Sequence, residues 1–222
     1  MTLTGQTILI TGGARRIGQH LALALAQAGA NIILHHSQSP AQAQKTATDI
    51  EQLGRKAGIL KAGFRTPSQA AQLVSCAWQC APVNAIIHNA AIVEPLSLAE
   101  TSLTAWQPHL DINLTAPFLI SQAFAAHLPT EATGRILTIL DWRALRPAAD
   151  HFPYTISKAA LAALTRSLAV ALAPRITVNG LALGAILPPS DGSDSNQALQ
   201  FVPAERWASL EEVSQSALFL LN

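Results

Sequence analysis

The chain has 222 residues, half of them hydrophobic and only 12% charged, with a formal net charge of +1. That length suits one large domain with a substantial core, and the near-zero charge argues against an electrostatic nucleic-acid footprint. No apolar run reads as a membrane span of roughly 18 residues, because Thr165, Arg166 and Ser167 interrupt the longest one, and Met1 to Gln6 lacks the basic region of a signal peptide.

Thr7 to Ile10 reads as a buried strand ending at Thr11-Gly12-Gly13, and Arg16 to Ala28 as a helix closed by Gly29. Asn31 to Leu34 is a second strand, Ala41 to Leu53 a helix, Ala57 to Ala62 a third strand and Pro67 to Cys80 a helix. Ala85 to His88 is a fourth strand. A long helix follows from Trp106 to His127, perturbed at Pro108 and Pro117. Arg135 to Leu140 is a fifth strand, Phe152 to Leu172 a helix and Thr177 to Leu183 a sixth strand. Loop chemistry fills Gly184 to Pro203, with Pro188, Pro189 and Gly192, before a last helix from Leu210 to Asn222.

Six β-α alternations predict a single α/β domain over 1-222, a Rossmann-type doubly wound parallel sheet with helices on both faces. Ligands of such sheets bind at the carboxyl ends of the strands, near the switch in strand order. A sheet of this kind normally gains one more C-terminal strand after its last helix, and none is legible before Asn222.

The chemistry-bearing residues fall at those strand ends. Tyr154 and Lys158 are spaced i,i+4 and so share a helix face. An ammonium close to a phenol lowers its pKa from about 10, which suits Tyr154 to proton transfer. Asp141 lies thirteen residues before Tyr154. A carboxyl in a partly dry cleft can hold a raised pKa and donate a proton; the alternative is a strand-end residue capping the loop Trp142 to His151. At the other end of the chain, Thr11-Gly12-Gly13-Ala14-Arg15-Arg16-Ile17-Gly18 joins the first strand to the first helix. Glycines there let the backbone approach a pyrophosphate at the helix N-terminus. Arg15 and Arg16 suit phosphate, and His35-His36-Ser37-Gln38-Ser39 has no acid to hold ribose hydroxyls, which together favour NADP(H). Solvated strand-end histidines are the alternative reading of His35 and His36. Cys76 and Cys80 lack further ligands, so helix packing in a reduced, cytoplasmic setting is expected rather than a metal site.

These residues resemble the short-chain dehydrogenase/reductase superfamily over nearly the whole chain. The resemblance rests on the Thr11 to Gly18 turn, His88-Asn89-Ala90-Ala91, Asn113 in Asp111-Ile-Asn-Leu, Tyr154 with Lys158, and Val178-Asn179-Gly180. It implies Tyr154 as general acid or base, Lys158 on the nicotinamide ribose and lowering the tyrosine pKa, and Asn113 supporting a proton-relay water. It also implies cofactor contacts at Gly12, Arg15, Arg16, Ile17, Gly18, His36 and Ser37, and further ones at Asn89, Ala90 and Gly184. Asp141 stands where most members have serine, and Arg16 where most have glycine. Both are similar to the pteridine reductase and dihydromonapterin reductase branch, where the arginine reaches pterin and phosphates and the aspartate joins the tyrosine in protonating ring nitrogens. Val93 occupies the position of an aromatic that stacks on pterin in that branch, and Ala91 that of a frequent serine. Trp142 either substitutes as a stacking partner or serves as a core or interface tryptophan. Gly63 replaces an acid near adenine, and Leu183-Gly184 the usual Pro-Gly.

The expected function is NADPH-dependent reduction of a C=N bond in a pterin-like substrate, with Arg16, Val93, Asp141, Trp142 and Tyr154 on the substrate side. The alternatives are a carbonyl reductase or alcohol dehydrogenase of the same superfamily, and a nucleotide-binding homologue without turnover. A homo-oligomer is expected through the two long Ala- and Leu-rich helices, with no nucleic-acid or membrane partner.

Overall fold

The computed structural model describes residues 2–187, 199 and 202–222. Its strands are β1 (Thr7–Ile10), β2 (Asn31–His36), β3 (Ala57–Lys61), β4 (Ala85–His88), β5 (Gly134–Asp141) and β6 (Ile176–Leu183). All described pairings are parallel, in the order β3-β2-β1-β4-β5-β6. The order reverses between β1 and β4, which opens a crevice at their carboxyl ends. The helices are α1 (Arg16–Gln27), α2 (Pro40–Gln52), α3 (Pro67–Cys80), α4 (Leu103–Leu110), α5 (Ala116–His127), α6 (Phe152–Leu172) and α7 (Leu210–Leu221). No strand follows α7 among the described residues.

Strand residues alternate between two apolar layers. Ile8 and Ile10 of β1 pack with Leu21 and Leu25 of α1, Ile50 of α2 and Val213 of α7. Leu9, between them, joins Leu73 and Val74 of α3 and Ile120 and Phe124 of α5 on the opposite face. Helices on both faces explain why β1 and β4 are buried throughout and read as unbroken apolar runs.

Two expectations change. The helix expected from Trp106 begins at Leu103, where the Ser102 hydroxyl accepts the Ala105 N–H at 3.3 Å as an N-cap. It then opens into a π turn over Asp111–Thr115 before continuing as α5, and the Ala116 N–H reaches back five residues to the Asp111 carbonyl. Pro117 has no N–H, so the Asn113 carbonyl is offered no amide at the usual i+4 position. Secondly, α6 spans 21 residues at a mean hydropathy of 1.3, long and apolar enough to cross a membrane by those measures. Its apolarity has another origin, because α6 packs on β6 and buries Tyr154, Ser157, Lys158 and Leu161. The loop expected over Gly184 to Pro203 lies largely outside the described residues, including Pro188, Pro189 and Gly192.

His88 closes β4 and is buried, with Nε2 2.9 Å from the Ser121 hydroxyl of α5. Burial pulls its pKa down to about 3. An unfolded chain protonates this ring below about pH 6.5. The stability held by the neutral ring is therefore complete above that pH and is lost as the pH falls towards 3. Between about pH 7 and pH 5 this one group should cost about 2 kcal/mol. Urea unfolding at both pH values should show His88→Gln losing less stability than the parent by about that amount.

Candidate active site

The crevice is built first from glycine. Gly12 has φ +65°, and a Cβ there would lie 3.0 Å from the Ala90 Cα. A Cβ on Gly18 would meet the Gly12 carbonyl and stand 2.6 Å from Asn89 Nδ2. Asn89 clamps the turn, since its Nδ2 donates to the carbonyls of Thr11 and Gly12, each at 3.0 Å. The N–H groups of Asn89 and Ala90 both donate to the Thr11 hydroxyl, at 3.0 and 3.1 Å. The ends of β1 and β4 are thus laced together across the switch in strand order.

The Arg16–Gly18 amides open α1, and no intrahelical acceptor is available to them, an arrangement that receives anions. Ile17 anchors that first turn against the core. Arg15 is extended, Arg16 sits at φ +52°, and both side chains are exposed. A left-handed non-glycine residue costs about 1–2 kcal/mol, and this chain keeps a guanidinium there instead of a hydrogen. His35 and His36, read above as possible solvated strand ends, are both buried. His36 Nδ1 is buried without a hydrogen-bond partner, and its pKa is lowered, by burial first and by the Lys61 charge second. Ser37 is exposed beyond it.

β5 and α6 supply the candidate reactive pair. The Tyr154 hydroxyl donates to Asp141 Oδ2 at 2.9 Å, and the Arg143 N–H donates to Oδ1, also at 2.9 Å. The capping expectation for Asp141 holds, because one oxygen caps the 3-10 turn Trp142–Ala144, while the other accepts the tyrosine hydroxyl rather than donating a proton. Lys158 is buried, and its ammonium donates to the Ile139 carbonyl at 2.8 Å. It lies 5.7 Å from the centre of the Tyr154 ring. Burial lowers its pKa to about 8, against the pull of Asp141.

The expected lowering of the Tyr154 pKa by Lys158 does not occur here. Burial of the phenol raises its pKa, the charge and hydrogen bond of Asp141 raise it further, and Arg143 only partly opposes them. The neutral phenol is the form this site holds. Asn113, fully buried in the π turn, is spent on structure. Its Oδ1 accepts the Ile92 N–H at 2.9 Å, and its Nδ2 donates to the Ile92 carbonyl and the Ser157 hydroxyl, both at 3.0 Å. Ser157 in turn donates to the Tyr154 carbonyl at 2.7 Å.

On the substrate side, Val93 and Trp142 are 55% and 41% exposed, so both offer apolar surface to a ligand. Trp142 is neither core nor fully covered, and the Arg143 guanidinium lies 5.0 Å over its ring. Arg143 also grips Asp150 through two bonds of 2.6 and 2.8 Å, and Asp150 meets His151 Nδ1 at 2.8 Å. That grip ties down the loop between β5 and α6. Gly184 follows Leu183, the register partner of Asp141, and so borders the same crevice. Cys76 and Cys80 are free thiols on the exposed side of α3, not packed as expected.

Sequence reading missed Thr11, Ser157 and Arg143. The first two are short hydroxyls beside motif residues, and position next to Gly12 and Lys158 is the only signal they carry. Replacing Gly18 by alanine should force α1 away from the Asn89 clamp. Dinucleotide affinity, followed by fluorescence titration, should fall by about tenfold or more, with the β-sheet intact by circular dichroism.

Comparison with known proteins agrees with this geometry. A model of the short chain dehydrogenase family matches residues 6–198. A 3-oxoacyl-[acyl-carrier-protein] reductase of Synechocystis sp. is 30% identical over 221 residues, covering 98% of this chain and 90% of that relative. FolM alternative dihydrofolate reductase 1 of Brucella canis, complexed with NADP, is similar in structure with a TM-score of 0.90 and 29% identity, covering 99% of this chain and 88% of that one. A blue fluorescent protein from a metagenomic library, in complex with NADPH, has a TM-score of 0.93 and 31% identity, covering 100% and 92%. A parallel sheet in this strand order, a glycine turn clamped by Asn89, and Tyr154 with Lys158 on α6 accord with the matched family, and the chain belongs to it as a short-chain dehydrogenase, an oxidoreductase.

Proposed function

We propose that this protein uses NADPH to reduce a C=N bond of a pterin-like substrate, of the dihydropteridine or dihydrofolate type. The observation that carries the reading is the 2.9 Å hydrogen bond between the Tyr154 hydroxyl and Asp141. The likeness to an alternative dihydrofolate reductase supports it. The residues present fit the cofactor. The first-turn amides of α1, brought close to the turn after β1 because Gly18 has no Cβ, suit a pyrophosphate. Arg15, Arg16 and the unpartnered Nδ1 of His36 suit the additional phosphate of NADP(H). Lys158 offers the donor for the nicotinamide ribose, and a Cβ built on Gly184 would meet no described atom within 4 Å.

NADPH, when bound, supplies a hydride to the carbon of the C=N bond. The nitrogen gains the electron pair and needs one proton. Tyr154 carries that proton as a neutral phenol, and its raised pKa keeps it protonated at neutral pH. Asp141 fixes the phenol's direction and extends the path by which the proton is restored. Val93 and Trp142 offer the apolar surface that a planar heterocycle needs. A second reading, carbonyl reduction, draws on the likeness to a 3-oxoacyl reductase. Asp141 opposes it, because a carboxylate beside the oxygen repels a developing alkoxide.

A homo-oligomer in a reducing cytoplasm completes the proposal. Leu103 and Phe118, on α4 and α5, are 75% and 42% exposed, and Ile156 and Val170 of α6 are 38% and 83% exposed. Apolar side chains on three neighbouring helices suit a second copy of this chain. Sedimentation should give a dimer or tetramer, and Phe118→Glu should shift it towards monomer.

NADPH oxidation should be followed with dihydrobiopterin or dihydrofolate, beside a panel of ketones. Tyr154→Phe and Asp141→Ala should each lower kcat by about 100-fold or more, with NADPH affinity retained. Turnover of ketones alone would select the second reading, and unchanged turnover in both variants would remove the assigned chemistry.

A further inference from the structure

His35 is the penultimate residue of β2 and is 2% exposed, and none of the chemistry above uses it. Both its ring nitrogens are engaged. The Gly12 N–H donates to Nδ1 at 3.2 Å, and Nε2 lies 3.1 Å from the Ala62 carbonyl. Since a carbonyl only accepts, Nε2 carries the proton and Nδ1 is the acceptor, which is the neutral tautomer. The next amide is also taken, because the Gly13 N–H donates to the His35 carbonyl at 3.0 Å. The ring stacks on Phe64, with centroids 4.3 Å apart and planes 11° from parallel. One imidazole therefore joins the turn after β1 to the segment that follows β3.

We propose that His35 is a positioning residue for the cofactor: its ring, fixed by the Ala62 carbonyl and the Phe64 face, draws the Gly12 amide inward and presets the nucleotide turn. Two consecutive glycine amides are turned away from any ligand, which leaves the first-turn amides of α1 to meet a pyrophosphate. Glycine is the residue that loses most freedom when ordered. A turn already ordered in the free protein charges less of that loss to binding. Burial favours the same neutral ring and holds its pKa near 4. The proposal rests on the NADPH reading for its affinity readout but not for the order of the turn.

Two variants separate positioning from packing. His35→Phe keeps the ring and the stack on Phe64 and loses both hydrogen bonds. His35→Asn loses the stack but retains an acceptor close to the Nδ1 position. The dissociation constant for NADPH should rise about tenfold in His35→Phe and no more than about threefold in His35→Asn. kcat at saturating NADPH should stay within about twofold of the parent in both, since binding and not the chemical step is affected. Amide exchange at Gly12, measured by NMR without cofactor, should accelerate in His35→Phe and stay near the parent rate in His35→Asn. Purely structural packing predicts the opposite ranking, and that result, or parental NADPH affinity in His35→Phe, overturns the proposal. Should His35→Phe not fold, a more than tenfold loss of NADPH affinity in folded His35→Asn overturns it. Should the parent protein not bind NADPH, the cofactor reading fails, and Gly12 exchange rates equal in parent and variant would remove the positioning role separately.

Discussion

A phenol that donates to a carboxylate at 2.9 Å, in a site where the ring is only 8% exposed, is held in its neutral form. Desolvation and the neighbouring negative charge act in the same direction on Tyr154. The rest of the site keeps that pair in place. Asp141 ends β5, Tyr154 lies in the first turn of α6, and the ten-residue path from β5 to α6 is held by Arg143 and Asp150. Arg143 acts twice, since its amide fixes one Asp141 oxygen and its guanidinium fixes the far end of the loop. A shift of that loop would separate two groups whose interaction depends on contact distance.

The other side of α6 is fixed by an equally short chain of bonds. Ile92, Asn113, Ser157 and the Tyr154 carbonyl are linked in sequence, all through atoms with little or no access to water. Asn113 can take this part because the π turn rotates it out of the regular helical register, and Pro117 withholds the amide that would close a regular turn there. Lys158, one turn along α6, is tied to β5 through Ile139. The helix that carries the reactive residues is thus pinned to the loop after β4, to the π turn and to β5. Buried polar groups are costly when unpaired, so satisfied bonds at these points define one position for α6 and penalise others.

Much of this was legible in the sequence, and the failures are specific. Strand and helix order follows from apolar runs alternating with helical spacing, clearest in β1 and β4, which are covered on both faces. Tyr154, Lys158, Asp141 and the Gly12 to Gly18 turn could be singled out as candidates from spacing and the family resemblance, and the structure places them at the carboxyl ends of the strands. The direction of the Tyr154 pKa could not, since it depends on which neighbour the hydroxyl meets. The i,i+4 spacing brings Lys158 near the ring, yet its ammonium turns to a backbone carbonyl, and Asp141, thirteen residues away, takes the hydroxyl. His35 illustrates the same limit. Nothing in His35-His36-Ser37 shows that the first ring meets Gly12, Ala62 and Phe64, partners 23 to 29 positions away. The apolar character of α6 misleads in the other direction, because length and hydropathy do not distinguish a helix lying on a sheet from one crossing a membrane.

A serine beside the tyrosine would be a neutral hydrogen-bond partner, whereas Asp141 adds a full charge, and the two choices favour different substrates. With the carboxylate present, loss of the Tyr154 proton leaves two negative oxygens in contact, an arrangement that becomes worse as the site dries. In carbonyl reduction the hydride's negative charge develops on the substrate oxygen, beside the same carboxylate, until the proton reaches it. The nitrogen of a C=N bond is more basic than a carbonyl oxygen and takes the proton earlier, so less negative charge builds up beside Asp141. The buried Lys158, whose ammonium is already weakened to a pKa of about 8, can offset only one of these charges. The charge balance around Tyr154 therefore supports the proposed reading of a substrate that accepts a proton at nitrogen, and it does so before any contact with the substrate ring is considered.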